Sequence, residues 1–88
     1  MVHISGGDTL TFSPTTLRVR PGLLRVMFTA TGKLPQTLSS PALRMDSGNV
    51  PAGHTVTIDV LVPRAGKYLF YSAYHKLQGM TGHLIAHP

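Results

Sequence analysis

Cysteine is absent from this sequence of 88 residues, and acidic residues are scarce. Without cysteine the chain can form no disulfide, no iron–sulfur cluster, no thiolate nucleophile and no zinc site that depends on sulfur. Three acidic residues stand against eight lysines and arginines, and the sequence has neither paired carboxylates for acid–base catalysis nor a glycine motif that cradles phosphate. Ser72 and His75 lie close together in the sequence, but no nucleophile-elbow motif surrounds the serine. The sequence therefore predicts that the protein is not an enzyme.

Long apolar runs and blocks of like charge are also missing. No apolar stretch approaches the ~18 residues that a membrane-spanning helix requires, so no membrane span is expected. Residues 1–7 have neither the basic nor the apolar stretch of a signal peptide. The alternative that a signal peptide has been removed stays open. The formal net charge of +5 is dispersed along the chain, which argues against nucleic-acid binding and favours encounters with acidic partners or anionic membranes. The alternative is a solvated basic surface with no specific partner.

Short alternating segments between glycines and prolines are what the sequence has instead. Nine glycines and seven prolines interrupt it, and in residues 55–62 apolar side chains alternate with more polar ones at the period of a half-buried strand. This pattern predicts a single all-β domain over residues 1–88, a sandwich or small barrel of about seven short strands. The predicted strands are residues 2–5, 9–12, 17–20, 24–28, 55–62, 67–71 and 82–86, and residues 40–48 could hold a helical turn.

Four parts of the chain, taken in order, resemble a known family. They are residues 12–14 with 17–22, residues 31–37, residues 53–58 with 64–68, and a loop that reads Tyr71-Ser-Ala-Tyr-His75 and then Gly79-Met80-Thr-Gly82. In this order they are similar to the cupredoxins, the plastocyanin-like blue copper proteins. The resemblance implies an antiparallel Greek-key β-sandwich, a copper cofactor, electron transfer and an extracytoplasmic location, periplasmic or secreted.

The resemblance also places the four copper ligands of the family on this chain. A blue copper site uses one thiolate, two imidazoles and a weak axial thioether. The corresponding positions are Gln36, Ser72, His75 and Met80. His75 and Met80 match the family pattern, whereas Gln36 stands where an imidazole is expected and Ser72 where the thiolate is expected.

These two departures remove the strong donors. A serine hydroxyl stays protonated near neutral pH and a glutamine amide is neutral, so the four positions bring no negative charge to a copper dication. We therefore expect copper to bind weakly or not at all and blue copper electron transfer to be lost. Three alternatives stay open: a variant of an electron carrier that lacks its ligands, a metal-free protein-binding module, and a rearranged non-blue copper site built on His75 and Met80.

The loops around His75 predict an apolar surface. In cupredoxins this end docks redox partners, and the resemblance implies the same role here. The residues expected to converge there are Leu34 and Pro35 in one loop and Leu77, Gly79 and Met80 in the other. Lys33 and Lys76 would add positive charge at the rim, which suits an acidic redox-partner protein. The alternative is that these side chains only cover the emptied site. The other histidines, expected at the surface rather than in a second metal site, are His3, His54, His83 and His87.

Overall fold

Strands account for most of the regular structure. The computed structural model describes residues 2–75, 77 and 79–88, and within them the chain forms nine strands. In order these are β1 (Val2–Gly6), β2 (Phe12–Ser13), β3 (Thr16–Val19), β4 (Gly22–Ala30), β5 (Ser39–Ser40), β6 (Met45–Asp46), β7 (Thr55–Val62), β8 (Gly66–Tyr71) and β9 (Thr81–Ala86), with a short 3-10 helix at Pro41–Leu43. No helix in the described part of the chain is long and apolar enough to cross a membrane.

The strands form two sheets, which confirms the predicted all-β sandwich. One sheet has the order β2-β1-β4-β7 and the other the order β3-β9-β8-β5-β6. The expectation of an antiparallel architecture needs a correction, because β1 pairs with β4 and β3 pairs with β9 in parallel. Between the members of each parallel pair the chain crosses to the opposite sheet, so the two strands enter from the same end. Both sheets are therefore mixed.

Side-chain alternation explains why the longer strands form where the sequence predicts them. In β7 the side chains of Val60 and Val62 are buried, while those of Thr55, Thr57 and Asp59 are exposed. This is the period-two pattern of a strand with one face on the core. The same strand pairs with β4 over eight residues, from Gly22–Val62 to Thr29–Thr55.

Two short segments differ from the sequence expectation. The predicted strand at residues 9–12 is mostly a turn, in which Leu10 adopts a left-handed backbone with φ 59° and only Phe12 belongs to a strand. The region 40–48 contains the short 3-10 helix but also β6, which pairs with β5. Strands of two residues are too short to show any periodicity in the sequence.

The core lies between the two sheets and contains a row of three phenylalanines. The ring of Phe12 lies 6.1 Å from the ring of Phe28 and 5.1 Å from that of Phe70, centroid to centroid. The tilted and edge-on geometries are those that aromatic rings prefer. The sixteen buried apolar residues of the described chain form one cluster around this row, so the fold rests on a single core.

The two ends of the sandwich differ in what they carry. The loop end, as we call it, is where β1, β4 and β8 finish at Gly6, Ala30 and Tyr71, and where β9 starts at Thr81. The far end is the opposite one, where β3, β7 and β9 finish and where β4 and β8 start. The predicted ligand positions all follow strands at the loop end.

Candidate functional site

The connection between β8 and β9 folds back on itself at the loop end. Tyr71, the last residue of β8, pairs with Thr81, the first residue of β9. The backbone N–H of Ser72 donates to the carbonyl of Met80 at 3.1 Å, and the N–H of His75 donates to the carbonyl of Ser72 at 3.2 Å. A third bond runs from the N–H of Met80 to the carbonyl of His75 at 3.2 Å. Three of the predicted ligand positions are therefore fixed to one another by main-chain hydrogen bonds.

Gln36 reaches the same place from the loop that follows β4. Its backbone is fastened to Val50 by two hydrogen bonds, with N···O distances of 3.0 and 2.8 Å. The next residue, Thr37, accepts a hydrogen bond on its hydroxyl from the N–H of Ala73 at 2.6 Å. Through these contacts the structure brings the loop of Gln36 against the loop of Ser72.

The side chains of Gln36 and Ser72 form a buried neutral pair. Both residues are completely shielded from solvent, and the hydroxyl of Ser72 donates to Oε1 of Gln36 at 3.4 Å. The other end of the amide is also used, because Nε2 of Gln36 donates to the carbonyl of Gly7 at 3.4 Å. No buried side-chain nitrogen or oxygen in the described residues lacks a partner. These polar groups are therefore satisfied by one another without an ion.

Met80 and His75 occupy different depths. Met80 is completely buried, and its methyl carbon lies so close to Gly6 that a β-carbon there would come within 2.8 Å of it. His75 is only partly buried and meets the ring of Tyr74 edge-on at 6.3 Å. The Tyr74 hydroxyl in turn donates to Oδ1 of Asn49 at 2.6 Å. The imidazole is therefore the candidate ligand nearest to solvent.

This donor set does not fit a blue copper ion. The structure offers one imidazole, one buried thioether, a hydroxyl and an amide, and none of them is an anion under ordinary conditions. Within the described residues no group of three or more His, Cys, Asp or Glu side chains could hold a metal ion. The hydroxyl and the amide are moreover already hydrogen-bonded to each other. The chemistry that these residues support is that of a closed polar cluster.

Asp8 is a structural member of the loop end that the sequence interpretation missed. Its carboxylate accepts from the backbone N–H of Lys33 at 2.9 Å and from that of Leu34 at 3.1 Å. A carboxylate that accepts two main-chain hydrogen bonds holds a turn in place. Asp8 stands directly after Gly6 and Gly7 and is one of only three acidic residues in the chain. These two features could have indicated a structural role for it. Asp8 thus fixes the loop that leads to Gln36.

The predicted apolar surface is exposed in part. Leu77 is 99% and Leu34 39% exposed, and Pro35 and Gly79 are exposed as well. Met80 requires a correction, because its complete burial removes it from any surface that a partner could touch. Lys33 is exposed at the rim as expected, whereas Lys76 lies outside the described residues.

Sequence comparison gives one match that spans nearly the whole chain. A family model described as "Cupredoxin-like domain" matches residues 4–86. No relative is found among curated proteins. The matched residues run from within β1 to the last residue of β9.

Solved structures with a similar fold include two small proteins that match this chain over nearly their whole length and one larger enzyme. Reduced auracyanin from Roseiflexus castenholzii is 18% identical with a TM-score of 0.83, covering 99% of this chain and 96% of auracyanin. Oxidised plastocyanin from Dryopteris crassirhizoma is 21% identical with a TM-score of 0.74, covering 97% and 99%. A copper-containing nitrite reductase from Thermus scotoductus is 19% identical with a TM-score of 0.77, covering 99% of this chain but 28% of the enzyme. At these identities the likeness concerns the fold alone.

Proposed function

The chain belongs to the family of cupredoxin-like domains, and we propose that it is a member with a degenerate copper site that no longer supports blue copper electron transfer. The observation that carries the proposal is the buried hydrogen bond between Ser72 and Gln36. These are the two positions where the family pattern has its thiolate and its first imidazole. Two neutral groups that satisfy each other take the place of two ligands that would bind a metal.

The energetics of this pair oppose metal binding. A copper ion would have to displace the hydrogen bonds of Ser72 to Gln36 and of Gln36 to Gly7, and would receive only neutral oxygen in return. A buried cation without an anionic partner is unfavourable in a site of low dielectric. The imidazole of His75 and the thioether of Met80 remain, and these donors suit Cu(I) better than Cu(II).

Titration of the wild-type protein with copper tests the proposal. We expect no intense visible charge-transfer band on addition of Cu(II), because the thiolate that produces it is absent. Metal analysis of the purified protein and calorimetry with Cu(I) and Cu(II) complete the measurement. An intense band in the wild-type protein would contradict the proposal. Cu(I) binding without colour, lost in a His75→Ala variant, would instead favour the alternative of a non-blue copper site.

The exposed leucines at the loop end favour a second candidate function, protein binding. Leu34 and Leu77 present apolar side chains beside the cation of Lys33, and a patch of this kind can keep a docking role without a metal. An acidic redox protein is the partner that this charge suits. We extend to this chain the extracytoplasmic location typical of the family. The absence of enzymatic activity stays a prediction, since a nitrite reductase shares the fold.

Docking at the loop end can be tested with two matched leucine pairs. We expect the isotope-labelled protein, titrated with a redox protein that has an acidic docking face, to show amide shifts around Leu34 and Gly79. The Leu34→Ser/Leu77→Ser variant should bind at least about tenfold more weakly, since each leucine loses buried apolar area. The control is Leu23→Ser/Leu61→Ser, which alters exposed leucines at the far end. Equal weakening in both variants would contradict docking at the loop end.

A further inference from the structure

The far end of the sandwich concentrates positive charge. Arg20 lies in the connection from β3 to β4, and Arg64 lies in the connection from β7 to β8. Arg18 is the next-to-last residue of β3, and Lys67 is the second residue of β8. All four side chains are exposed. Half of the eight lysines and arginines of the chain therefore lie at one end.

The three aspartate side chains each have partners other than these four cations. Asp8 is occupied by backbone N–H groups at the loop end, and Asp46 accepts from the N–H of Gly48. Asp59 pairs with Arg25 at 3.0 Å, the one ion pair found in the described residues. The hydrogen bond and the charge of Arg25 lower the pKa of the Asp59 carboxyl, which keeps this pair ionised. No aspartate side chain of the described residues therefore pairs with the four cations of the far end.

Two exposed leucines lie at the same depth as the cations. Leu23 is 85% and Leu61 is 61% exposed, and they are register partners on β4 and β7. Each lies one residue from the end of its strand, as Arg18 and Lys67 do on β3 and β8. One residue of strand spans about 3.3 Å, so these four side chains lie at nearly equal depth. Their burial patterns place them on the outer faces of both sheets, around the turns that carry the two other arginines.

We propose that the far end docks end-on onto the surface of an anionic lipid bilayer. A flat surface can touch cations and leucines that lie at one depth, and the headgroup region of a bilayer accepts both kinds of side chain. The phosphates of a nucleic acid would attract the arginines but would gain nothing from Leu23 and Leu61. Vesicles and a soluble acidic polymer distinguish a bilayer from an acidic protein as the partner of this end. The combination of charge, exposed leucines and equal depth therefore favours the bilayer.

Vesicle binding with charge-matched variants tests the proposal. We expect the wild-type protein to bind vesicles that contain about a third phosphatidylserine in phosphatidylcholine, to bind pure phosphatidylcholine far less, and to be released as salt rises. Each cation near an anionic bilayer strengthens binding roughly fivefold, so Arg20→Gln/Arg64→Gln should bind roughly 30-fold more weakly. Lys33→Gln removes one charge at the loop end and should stay within about twofold, because distant charges are screened. Arg20→Gln or Arg64→Gln alone removes one charge at the far end and should bind roughly fivefold more weakly.

Variants of the two exposed leucines test the apolar contribution to binding. Leu23→Ser/Leu61→Ser should lose about fivefold or more in vesicle binding, whereas Leu34→Ser/Leu77→Ser should bind like the wild type. Circular dichroism of every variant checks that the fold is kept, as exposed substitutions should allow. Equal losses for Lys33→Gln and for the single far-end variants, unchanged binding by Leu23→Ser/Leu61→Ser, or an absence of binding to anionic vesicles would overturn the proposal. So would binding to poly-glutamate or duplex DNA, without vesicle binding, that depends on Arg20 and Arg64.

Discussion

The double variant Ser72→Cys/Gln36→His is expected to bind Cu(II) with the intense visible charge-transfer band of a blue copper site. We expect its affinity to exceed that of the wild type by several orders of magnitude, because a thiolate and an imidazole replace two neutral oxygen donors. The positions already meet: the Ser72 hydroxyl lies 3.4 Å from the Gln36 amide oxygen. The main-chain hydrogen bonds of the Ser72 to Met80 connection do not depend on the substituted side chains. Visible spectra during a copper titration, with a competing chelator, measure both effects.

The two single variants are the controls. Gln36→His alone has no thiolate and should stay colourless with Cu(II), whereas Ser72→Cys alone should give a weaker and less stable coloured complex. If the double variant binds no copper or remains colourless, the loops are no longer arranged for a trigonal site. In that case the degeneracy extends beyond the two ligands, and the metal-free binding module becomes the better reading of the chain.

The strands that the sequence predicts well are those whose signal is local. Residues 55–62 carry four apolar residues at period two, and the observed strand β7 has the same bounds. The parallel pairing of β1 with β4 was not predictable in this way, because it joins segments separated by two crossings between sheets. The strands β5 and β6 escaped prediction because each has only two residues.

For the candidate site, too, the sequence predicts what depends on local motifs and not what depends on distant contacts. The positions of Ser72, His75 and Met80 were predicted from one loop motif. Gln36 was predicted because its segment stands, in chain order, where the family pattern has the first imidazole. The sequence does not show which hydrogen bonds these side chains form or how deeply they are buried. The hydrogen bond of Ser72 to Gln36 joins residues 36 apart, and the burial of Met80 follows from its approach to Gly6. Contacts of this kind depend on the packing of both sheets, so a surface role for Met80 was predicted wrongly.

Gly82→Ala is expected to cause the largest loss of stability among small substitutions near the site. Gly82 pairs with Phe70 across β8 and β9, and an added β-carbon would collide with the Phe70 ring and lie 2.7 Å from the Thr15 carbonyl oxygen. Neither neighbour can move freely: Phe70 is almost fully buried against Phe12, and the Thr15 carbonyl accepts a hydrogen bond from His83. Overpacking of this kind should lower the free energy of unfolding by about 3 kcal/mol. Thermal unfolding should then shift down by about 12–24 °C for a domain of this size.

Gly6→Ala is the matched control for this prediction. Its β-carbon would also meet a side chain, at 2.8 Å, but that atom is the methyl end of Met80, which can rotate away. The Phe28 ring lies farther off, at 3.4 Å, and needs to shift little. We therefore expect a loss of only about 1 kcal/mol in the free energy of unfolding. Adding Phe70→Leu to Gly82→Ala should recover part of the loss, so the double variant should be less destabilised than the sum of the singles. Equal losses for Gly82→Ala and Gly6→Ala, together with strict additivity, would show that the Phe70 ring does not restrain this strand pair.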